Sequence, residues 1–544
     1  MKLPVRFATC ALVVSLLTMA VERACAAGPE PRSLLPAGGQ RGSTVEVTAS
    51  GKFPKWPVQT WIDRAGLAIT PGADKGKLSI VVSPQAVGGV YWLRLFDADG
   101  AAAPLPFIVG TLPEVLEQEP NSSVSKAQTL SSSAVVVNGK LGANGDVDMF
   151  AVPLQAGQTL VASLEGHETI GSPVDSVLQI LSTRGHVLAY NHDQHGLDPQ
   201  IVFTAPTAGN YLVRVFGFPS TPNQTIGFAG GDQYVYRLTV TTGPFVDYPW
   251  PLAVTRGRET QVELFGWNIP NPLKSLLLRP TGERAEIFDA QLANVASVAV
   301  EGHETIVEVE PNGPASTQPI ELPITISGRI DSRRDVDVFS FSGHKDEALT
   351  FQLESRALGY PLDAVLEVTD AAGKSLARVD DVGQRRDAVL AFSPPADGQY
   401  RIAVSDLNHA GSSRHVYRLR ATKTQPDFDV TADAHSYVVT PGKPTEITLT
   451  VDRRNGFDED IALAVGGLPP FVTAPPTVSA GKGESAKVVK ITLTATAEAF
   501  SGPIRITCES PDPAKRSHLA EFTLAAQIAR TSDLWLTVAP AASQ

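Results

Sequence analysis

The sequence predicts an all-β chain of tandem β-sandwich domains. Apolar and polar residues alternate in short segments throughout, for example from Thr159 to Leu164 and from Lys490 to Thr496, and a period of two indicates strands with one buried face. The 45 glycines and 42 prolines divide the chain into short elements, and no long stretch carries a helical apolar stripe. Since 544 residues are too many for one hydrophobic core, we expect about four or five domains.

The chain begins with the features of a secretory signal peptide. Basic residues Lys2 and Arg6 precede an apolar stretch from Phe7 to Val21, and small residues follow at Ala24 and Ala26. We therefore expect residues 1–26 to be removed on export, with no integral membrane segment left. The mature protein would be periplasmic, on the cell surface or extracellular.

Cysteine content and charge narrow the class of protein further. Beyond Cys10 and Cys25 the chain has Cys508, whose parity with Ile504 and Ile506 predicts a buried position in a strand. No internal disulfide framework is expected from one cysteine. A net charge of −12 argues against nucleic acid as a partner.

The most informative feature is an internal repeat of roughly 120 residues. Each copy begins with an acidic lead segment, Glu-x-Glu-Pro-Asn, at Glu117–Asn121 and at Glu308–Asn312. Four further motifs recur in the same order and at nearly constant spacing: Gly145–Phe150 with Arg334–Phe339, Pro173–Leu178 with Pro361–Leu366, Phe203–Tyr211 with Phe392–Tyr400, and Val235–Leu238 with Val416–Leu419. One module therefore occurs twice.

With these motifs, both modules resemble the bacterial pre-peptidase C-terminal (PPC) domain. This β-sandwich is found at the ends of many secreted proteases and, in bacterial collagenases, as a collagen-binding domain. The lead segment, the Asp-x-Asp-x-Phe motif, Asp175 or Asp363 before an apolar strand and the late Gly-x-Tyr carry the resemblance. The flanking segments look like immunoglobulin-like sandwiches, and the whole is similar to large exported proteins of planctomycete-type bacteria.

The expected architecture is jelly-roll-like PPC modules alternating with immunoglobulin-like sandwiches. The domains are an immunoglobulin-like sandwich at 30–112, the first module at 113–243, a small immunoglobulin-like domain at 244–306, the second module at 307–424 and a C-terminal immunoglobulin-like sandwich at 425–530. Inside the first module, Asn138-Gly139 predicts a tight hairpin turn. The hexapeptide Glu165–Ile170 recurs identically at Glu301–Ile306, but out of register with the repeat, and we interpret it as coincidence.

The resemblance also implies a calcium site in each module. In family members that bind calcium, the lead segment and the Asp-x-Asp loop supply the ligands, here Glu117, Glu119, Asn121, Asp146 and Asp148, and in the second copy Glu308, Glu310, Asn312, Asp335 and Asp337. Alternate residues of an extended segment point the same way, so hard oxygen ligands converge. However, Ser122 and Gly313 stand where the calcium-binding collagenase domains have a further ligand. The alternative is that these aspartates cap tight turns.

Other candidate sites are weaker. The polar segment Asn191–Asp198 contains two histidines, but the second copy has none there, which favours a loop over a zinc site. Neither His-Glu pair has the second histidine of a zinc-protease helix, and the chain lacks a Gly-x-Ser-x-Gly motif. Trp56 and Trp61, which lie beside prolines, are candidates for an exposed ligand-binding surface.

The sequence thus predicts an exported binding or adhesion protein that is not an enzyme. Its two modules would present surfaces to a polymer, namely protein, peptide or polysaccharide, with calcium as a stabilising cofactor. One alternative is a structural or scaffold component of the cell envelope whose partner is another envelope protein. A second alternative is an unrecognised hydrolase.

Overall fold

The structure is a computed structural model, which describes residues 28–221, 227–282, 284–380, 387–496, 499–511, 515–524 and 529–539. The predicted signal peptide, residues 1–26, lies outside the described residues. The described part is almost entirely strands, which confirms the all-β prediction of tandem sandwiches. None of its helices is long and apolar enough to span a bilayer.

The N-terminal sandwich has two sheets. One has the strand order β1-β3-β6-β5 and the other β2-β9-β7-β4, with β8 paired to β7. Val47, Leu78 and Ile80 lie in its core with at most 1% exposure, as the alternating pattern of their strands requires. The strands are β1 (Glu30–Leu35), β2 (Gly38–Gln40), β3 (Thr44–Lys52), β4 (Gln59–Ile62), β5 (Leu67–Pro71), β6 (Lys77–Val82), β7 (Gly89–Asp97), β8 (Gly100–Ala101) and β9 (Leu105–Gly110).

The first module follows as two five-stranded sheets. Their orders are β10-β12-β19-β14-β17 and β11-β13-β18-β15-β16. The elements are β10 (Glu114–Leu116), β11 (Gln128–Thr129), β12 (Ala134–Lys140), β13 (Asp148–Leu154), β14 (Thr159–Glu165), α1 (His167–Ile170), β15 (Val174–Leu181), β16 (Val187–Asn191), β17 (Gln200–Thr204), β18 (Gly209–Pro219) and β19 (Val235–Thr241), with a 3-10 turn at Val124–Lys126.

A small middle sandwich separates the modules. Its two three-stranded sheets have the orders β20-β22-β23 and β21-β25-β24. The elements are β20 (Phe245–Trp250), β21 (Ala253–Thr255), β22 (Thr260–Trp267), β23 (Ser275–Leu278), β24 (Arg284–Ile287) and β25 (Ala296–Glu301), with a 3-10 turn at Asn271–Leu273.

The second module repeats the first strand for strand. Its sheets have the orders β26-β28-β35-β30-β33 and β27-β29-β34-β31-β32, so each strand has the neighbours that its counterpart has in the first module. The elements are β26 (Glu304–Val307), β27 (Gln318–Pro319), β28 (Ile324–Arg329), β29 (Val336–Gly343), β30 (Leu349–Glu354), β31 (Ala364–Asp370), β32 (Ser375–Val379), β33 (Val389–Phe392), β34 (Gly398–Asp406) and β35 (Val416–Lys423), with a 3-10 turn at Arg356–Leu358.

The C-terminal sandwich extends beyond its predicted end at residue 530. Its last strand, β47, is central in the order β37-β47-β43-β39-β41, and Leu534 and Leu536 of that strand are fully buried. The other sheet is β36-β38-β42-β40, while β44 pairs with β43 and β45 with β46. The strands are β36 (Asp427–Ala432), β37 (Ser436–Val439), β38 (Thr445–Arg454), β39 (Ile461–Gly466), β40 (Val472–Thr473), β41 (Thr477–Ser479), β42 (Val488–Ala495), β43 (Phe500–Glu509), β44 (Ser517–Leu519), β45 (Phe522–Thr523), β46 (Arg530–Thr531) and β47 (Leu534–Val538), with a 3-10 turn at Glu484–Ala486.

The predicted hairpin at Asn138-Gly139 is wrong. Both residues lie inside β12, which pairs with β19 without interruption from Ala134 to Lys140. The Asn138 amide explains why a turn residue is found there: its Nδ2 donates to Glu114 Oε2 (2.7 Å), and its Oδ1 accepts from Ala37 N (3.2 Å). These two partners satisfy both polar ends of the buried Asn138 amide, so that the residue is accommodated inside a strand.

The repeated hexapeptide adopts two different structures. In the first module it ends β14 and forms α1, whereas the identical residues Glu301–Ile306 end β25 and begin β26. The helix has a partner that the other copy lacks, because Asp198 accepts the backbone N–H groups of Gly166, His167 and Glu168. Tertiary contacts therefore decide its conformation, in agreement with our interpretation of the repeat as coincidence.

Domains contact one another through polar side chains that are partly or fully buried. Arg414 of the second module donates to both carboxylate oxygens of Asp247 in the middle sandwich (2.6 and 3.0 Å). The first and last sandwiches also touch: Arg94, fully buried, donates to the backbone oxygen of Asp533 (2.8 Å), and its guanidinium lies 5.3 Å from the Trp535 ring. The chain is therefore a set of sandwiches in mutual contact.

Candidate metal centres

In each module the acidic motifs meet at one end of the sandwich, between its two sheets. The lead segment of the first module continues from β10, whereas Asp148 is the first residue of β13 in the opposite sheet. Asp148 and Asn121 are fully buried. The same holds for Asp337 and Asn312 of the second module.

A tyrosine connects the two acidic motifs of the first module. The Tyr236 hydroxyl lies 2.7 Å from Asp148 Oδ2 and 3.1 Å from Glu117 Oε2. Glu117 Oε1 accepts from Lys140 N (2.8 Å), and Asn121 N donates to Glu119 Oε2 (2.9 Å). Backbone and phenol donors thus fix the carboxylates in place.

The second module reproduces these contacts. The Tyr417 hydroxyl lies 2.6 Å from Asp337 Oδ2 and 3.4 Å from Glu308 Oε2. Glu308 Oε1 accepts from Arg329 N (2.6 Å), and Asn312 N donates to Glu310 Oε2 (3.0 Å). The duplication therefore includes the detailed geometry of the site.

A glycine opposite each tyrosine makes room for this arrangement. Gly139 pairs with Tyr236 across β12 and β19, and Gly328 pairs with Tyr417 across β28 and β35. A Cβ atom on Gly139 would lie 2.2 Å from the Tyr236 ring and 2.6 Å from Glu117 Oε2. On Gly328 the same atom would lie 2.2 Å from the Tyr417 ring and 2.7 Å from the Glu308 carboxylate. Any side chain at these positions would displace the site residues.

The electrostatics of the clusters disfavour negative charge. Burial, and next the neighbouring Asp148 carboxylate, raises the pKa of Glu117, and burial likewise raises the pKa of Asp148. Burial and Asp337 raise the pKa of Glu308 in the same way. A cation among these oxygens would offset the cost of placing several carboxylates in a buried space.

The residues fit a calcium ion. Ligand atoms of Glu119, Asp146 and Asp148 lie within 4.8 Å of one another, as do those of Glu308, Glu310 and Asp337. In the first cluster Asp148 Oδ1 and both amide atoms of Asn121 are buried without a hydrogen-bond partner. Buried polar atoms without partners are rare, and an ion or an ordered water would satisfy these three atoms. Calcium prefers six to eight oxygen ligands of this kind.

The Asn312 amide binds two carboxylates of the second cluster. In the orientation that satisfies its hydrogen bonds, its nitrogen donates to Asp337 Oδ1 (3.1 Å) and to Glu310 Oε1 (3.2 Å). The asparagine of the lead segment is therefore part of the buried cluster.

The first aspartate of each Asp-x-Asp motif accepts backbone N–H groups, as the turn-capping alternative predicts. Asp146 accepts from Gly142 N (2.6 Å) and Val147 N (2.9 Å), and Asp335 accepts from Asp331 N and Val336 N (2.8 and 2.9 Å). The first aspartate of each motif therefore caps a turn. Asp146 also belongs to the first cluster, whereas the second aspartate, Asp148 or Asp337, is the buried member of each cluster.

The two tryptophans proposed for binding lie in intramolecular contacts. Trp56 is half-buried, and its indole N–H donates to Gly72 O (2.8 Å). Trp61 is half-buried with its ring edge toward Trp535, at 5.8 Å between ring centroids. Cys508 is fully buried in β43, and burial raises the pKa of its thiol to about 12, which leaves it unreactive.

Sequence reasoning missed four residues of the clusters. Tyr236, Tyr417, Gly139 and Gly328 belong to them as much as the carboxylates do. Each tyrosine lies in a repeated Val-Tyr-Arg-Leu motif, so the repeat contained the signal. The sequence signal for the glycines was weaker, because Asn138-Gly139 has the local pattern of a tight turn.

Comparison with known proteins identifies the class of the second module. The family model described as "Bacterial pre-peptidase C-terminal domain" matches residues 335–406. This segment runs from the turn-capping Asp335 through Asp337 of the second cluster to Asp406 at the end of β34. The match lies within the second module.

Individual proteins and solved structures match the chain at low sequence identity. Over 250 residues the chain is 29% identical to a probable subtilase-type serine protease of Deinococcus radiodurans, covering 44% of this chain and 27% of that protein. The chain therefore spans about a quarter of the length of this relative. Among solved structures, the pre-peptidase C-terminal domain of a Bacillus anthracis collagenase covers 19% of this chain and 93% of its own (16% identity, TM-score 0.16). A Bacteroides ovatus protein, SGBP-B of a mixed-linkage glucan utilization locus, covers 72% and 74% (11% identity, TM-score 0.15).

Proposed function

We propose that the chain is an exported, non-catalytic binding protein whose two calcium-stabilised modules present a surface to a polymeric partner. The observation that carries this proposal is the recurrence, in two modules of one chain, of a buried cluster of carboxylates and an asparagine with a tyrosine hydroxyl bound to its aspartate. The first module is then a second pre-peptidase C-terminal domain. The three other sandwiches would act as immunoglobulin-like spacers that position the modules.

Calcium would be held by the second aspartate, the second glutamate and the asparagine of each module. These are Asp148, Glu119 and Asn121 in the first module, and Asp337, Glu310 and Asn312 in the second. The ion would supply positive charge for buried carboxylates that the protein alone leaves without a cationic partner in the described contacts. Tyr236 and Tyr417 would orient the aspartates, and Gly139 and Gly328 would keep the space for these rings.

The similarity to a subtilase-type protease bears on the alternative that the chain is a hydrolase. Two hydroxyl–imidazole contacts among the described residues bear on it. His303 Nε2 lies 2.8 Å from Thr325 Oγ1, but Thr325 is fully buried and out of reach of a substrate. Ser412 Oγ lies 2.8 Å from His415 Nδ1 within a tight turn, where it also accepts from Arg414 N (3.2 Å). Both contacts support structural roles, in keeping with the non-catalytic proposal.

Polymer pull-down tests the binding function. The full chain is incubated with insoluble polysaccharides and with collagen fibres, in millimolar calcium, and the pellet is assayed for protein. Retention on at least one polymer is expected, and retention on none would contradict the proposal. Casein hydrolysis is measured in parallel, and cleavage that a serine-protease inhibitor abolishes would favour the enzyme alternative.

Thermal melting with calcium or chelator tests the stabilising role. A ligand bound only by the folded state stabilises it by mass action. With dissociation constants of about 10⁻⁴–10⁻³ M, as in extracellular modules, 10 mM calcium stabilises each module by about 1.4–2.7 kcal/mol. Unchanged melting after chelation would remove calcium from the proposal but leave polymer binding to be judged by the pull-down.

A further inference from the structure

The two modules face each other across a cleft of about 1420 Å³. Pockets for single small molecules measure roughly 300–1,000 Å³, so this cleft has room for a ligand of several linked units. The first-module wall is formed by Glu168 of α1 and the loop from Asp193 to Leu197. The second-module wall is formed by Gln352–Glu354, Arg356–Pro361, Asp387, Val389 and Arg414.

The charges of the cleft are largely paired within the protein. Arg414 is held by Asp247, as described above. Asp387 accepts the backbone N–H groups of Ser355, Arg356 and Ala357, and Glu354 accepts from Arg418 Nε (2.8 Å). A charged ligand would have to compete with these partners. The cleft therefore favours an uncharged ligand.

Hydrogen-bonding groups nevertheless remain for such a ligand. Arg356 pairs with Asp363 through Nη2 (3.3 Å), but its buried Nε has no hydrogen-bond partner within the described part of the chain. Asp193, with a side chain about half exposed (49%), and Gln352 line the opposite walls. Leu358 and Pro361 add apolar surface between them. This mixture of polar and apolar groups fits an uncharged ligand rich in hydroxyl groups.

An exposed aromatic pair immediately precedes Asp193, the first residue of the loop that lines the cleft. Tyr190 is 68% exposed, and its ring is parallel to that of His192 within 9°, at 6.5 Å between centroids. His192 Nδ1 lies 2.8 Å from Asp193 Oδ2, which connects the pair to the cleft. A flat aromatic face with a polar tip matches the C–H face and hydroxyl rim of a sugar ring.

The second module shows that the fold does not need this tyrosine. Tyr190 of β16 pairs with Gln179 of β15, and at the equivalent position Arg378 of β32 pairs with Glu367 of β31. Both copies form the same sheet. An exposed tyrosine in one copy alone therefore indicates a role in binding rather than in folding.

We propose that the cleft between the modules binds a neutral polysaccharide segment, with Tyr190 stacking on one sugar ring and Arg356 and Asp193 hydrogen-bonding to hydroxyl groups. This inference rests on the proposed binding function and gives it a site and a ligand class. The paired charges of the walls disfavour polyanions, and the aromatic pair provides a stacking surface for a sugar ring.

Affinity electrophoresis of the full chain tests the inference. The gels contain barley β-glucan, galactomannan, anionic polygalacturonate or gelatin, and the variants are Tyr190→Arg and Arg356→Met. The first variant places the second module's own residue in the first, so the sheet is expected to form. Leu277→Ala is the matched control, because Leu277 is exposed (58%) but does not line the cleft.

We expect at least one neutral polysaccharide to retard the wild type, and each cleft variant to bind it about tenfold more weakly. The control should bind like the wild type. Neutral binding that survives both cleft variants, or binding to gelatin or polygalacturonate alone, would overturn the cleft but leave the binding function intact. Binding to none of the four polymers would count against both.

Discussion

Substitution of Gly328 by alanine adds one methyl group at the centre of the second cluster. The new Cβ would lie 2.2 Å from the Tyr417 ring and 2.7 Å from the Glu308 carboxylate, distances at which neighbouring atoms must move. Overpacking of this kind costs about 1–3 kcal/mol, and in a domain of this size about 2 kcal/mol lowers the melting temperature by roughly 6–10 °C. Displaced Tyr417 and Glu308 would also weaken calcium binding at this cluster.

Differential scanning calorimetry in millimolar calcium measures the effect. The matched control is Gly398→Ala in the same module, where the added Cβ would meet Tyr400 at 4.0 Å, an ordinary contact. We expect Gly328→Ala to melt several degrees below Gly398→Ala, and Gly139→Ala to affect the first module in the same way. If Gly328→Ala and Gly398→Ala melt at the same temperature, the second cluster does not require a glycine at position 328, and the geometry described for it is wrong.

Two further predictions concern stability. Burial, and next the Arg94 guanidinium, lowers the pKa of His435 to about 4 from its ordinary 6.5. The unfolded chain therefore binds more protons than the folded chain between these values, and stability falls as the pH falls from 6.5 toward 4, by on the order of 3 kcal/mol. In His435→Gln the urea midpoint should depend less steeply on pH between 6.5 and 4. A pH dependence equal to that of the wild type would contradict the lowered pKa of His435. Asp387→Ala removes an acceptor of three backbone N–H groups and should destabilise the second module by about 1–2 kcal/mol in urea unfolding; a midpoint equal to that of the wild type would show that this cap is dispensable.

The fold class and the duplication could be predicted from the sequence because both depend on patterns that are visible in the linear order of residues. Alternation reports a buried sheet face wherever it occurs, and motifs such as those around Tyr211 and Tyr400 recur at nearly constant spacing. The turn at Asn138-Gly139 was mispredicted because its stabilising partners, Glu114 and Ala37, come from distant parts of the chain. Local propensity does not include such contacts.

The sequence predicted the carboxylates of the clusters but not the tyrosines and glycines that hold them in position. Spacing places Glu117 and Glu119 on one face of an extended segment, but it does not show that a phenol from β19 lies between Glu117 and Asp148. Nor does it separate the turn-capping role of Asp146 from the buried position of Asp148. The cleft was beyond sequence reasoning altogether, because it depends on how two modules nearly two hundred residues apart pack together.

Calorimetric titration of calcium into chelator-treated protein tests the central claim most directly. The account predicts two binding sites per chain in the wild type, one in Asp148→Asn or Asp337→Asn, and none in the double variant, since each aspartate supplies a buried charged ligand to its own cluster. The absence of calcium binding by the folded wild type, or two sites that persist in the double variant, would contradict it.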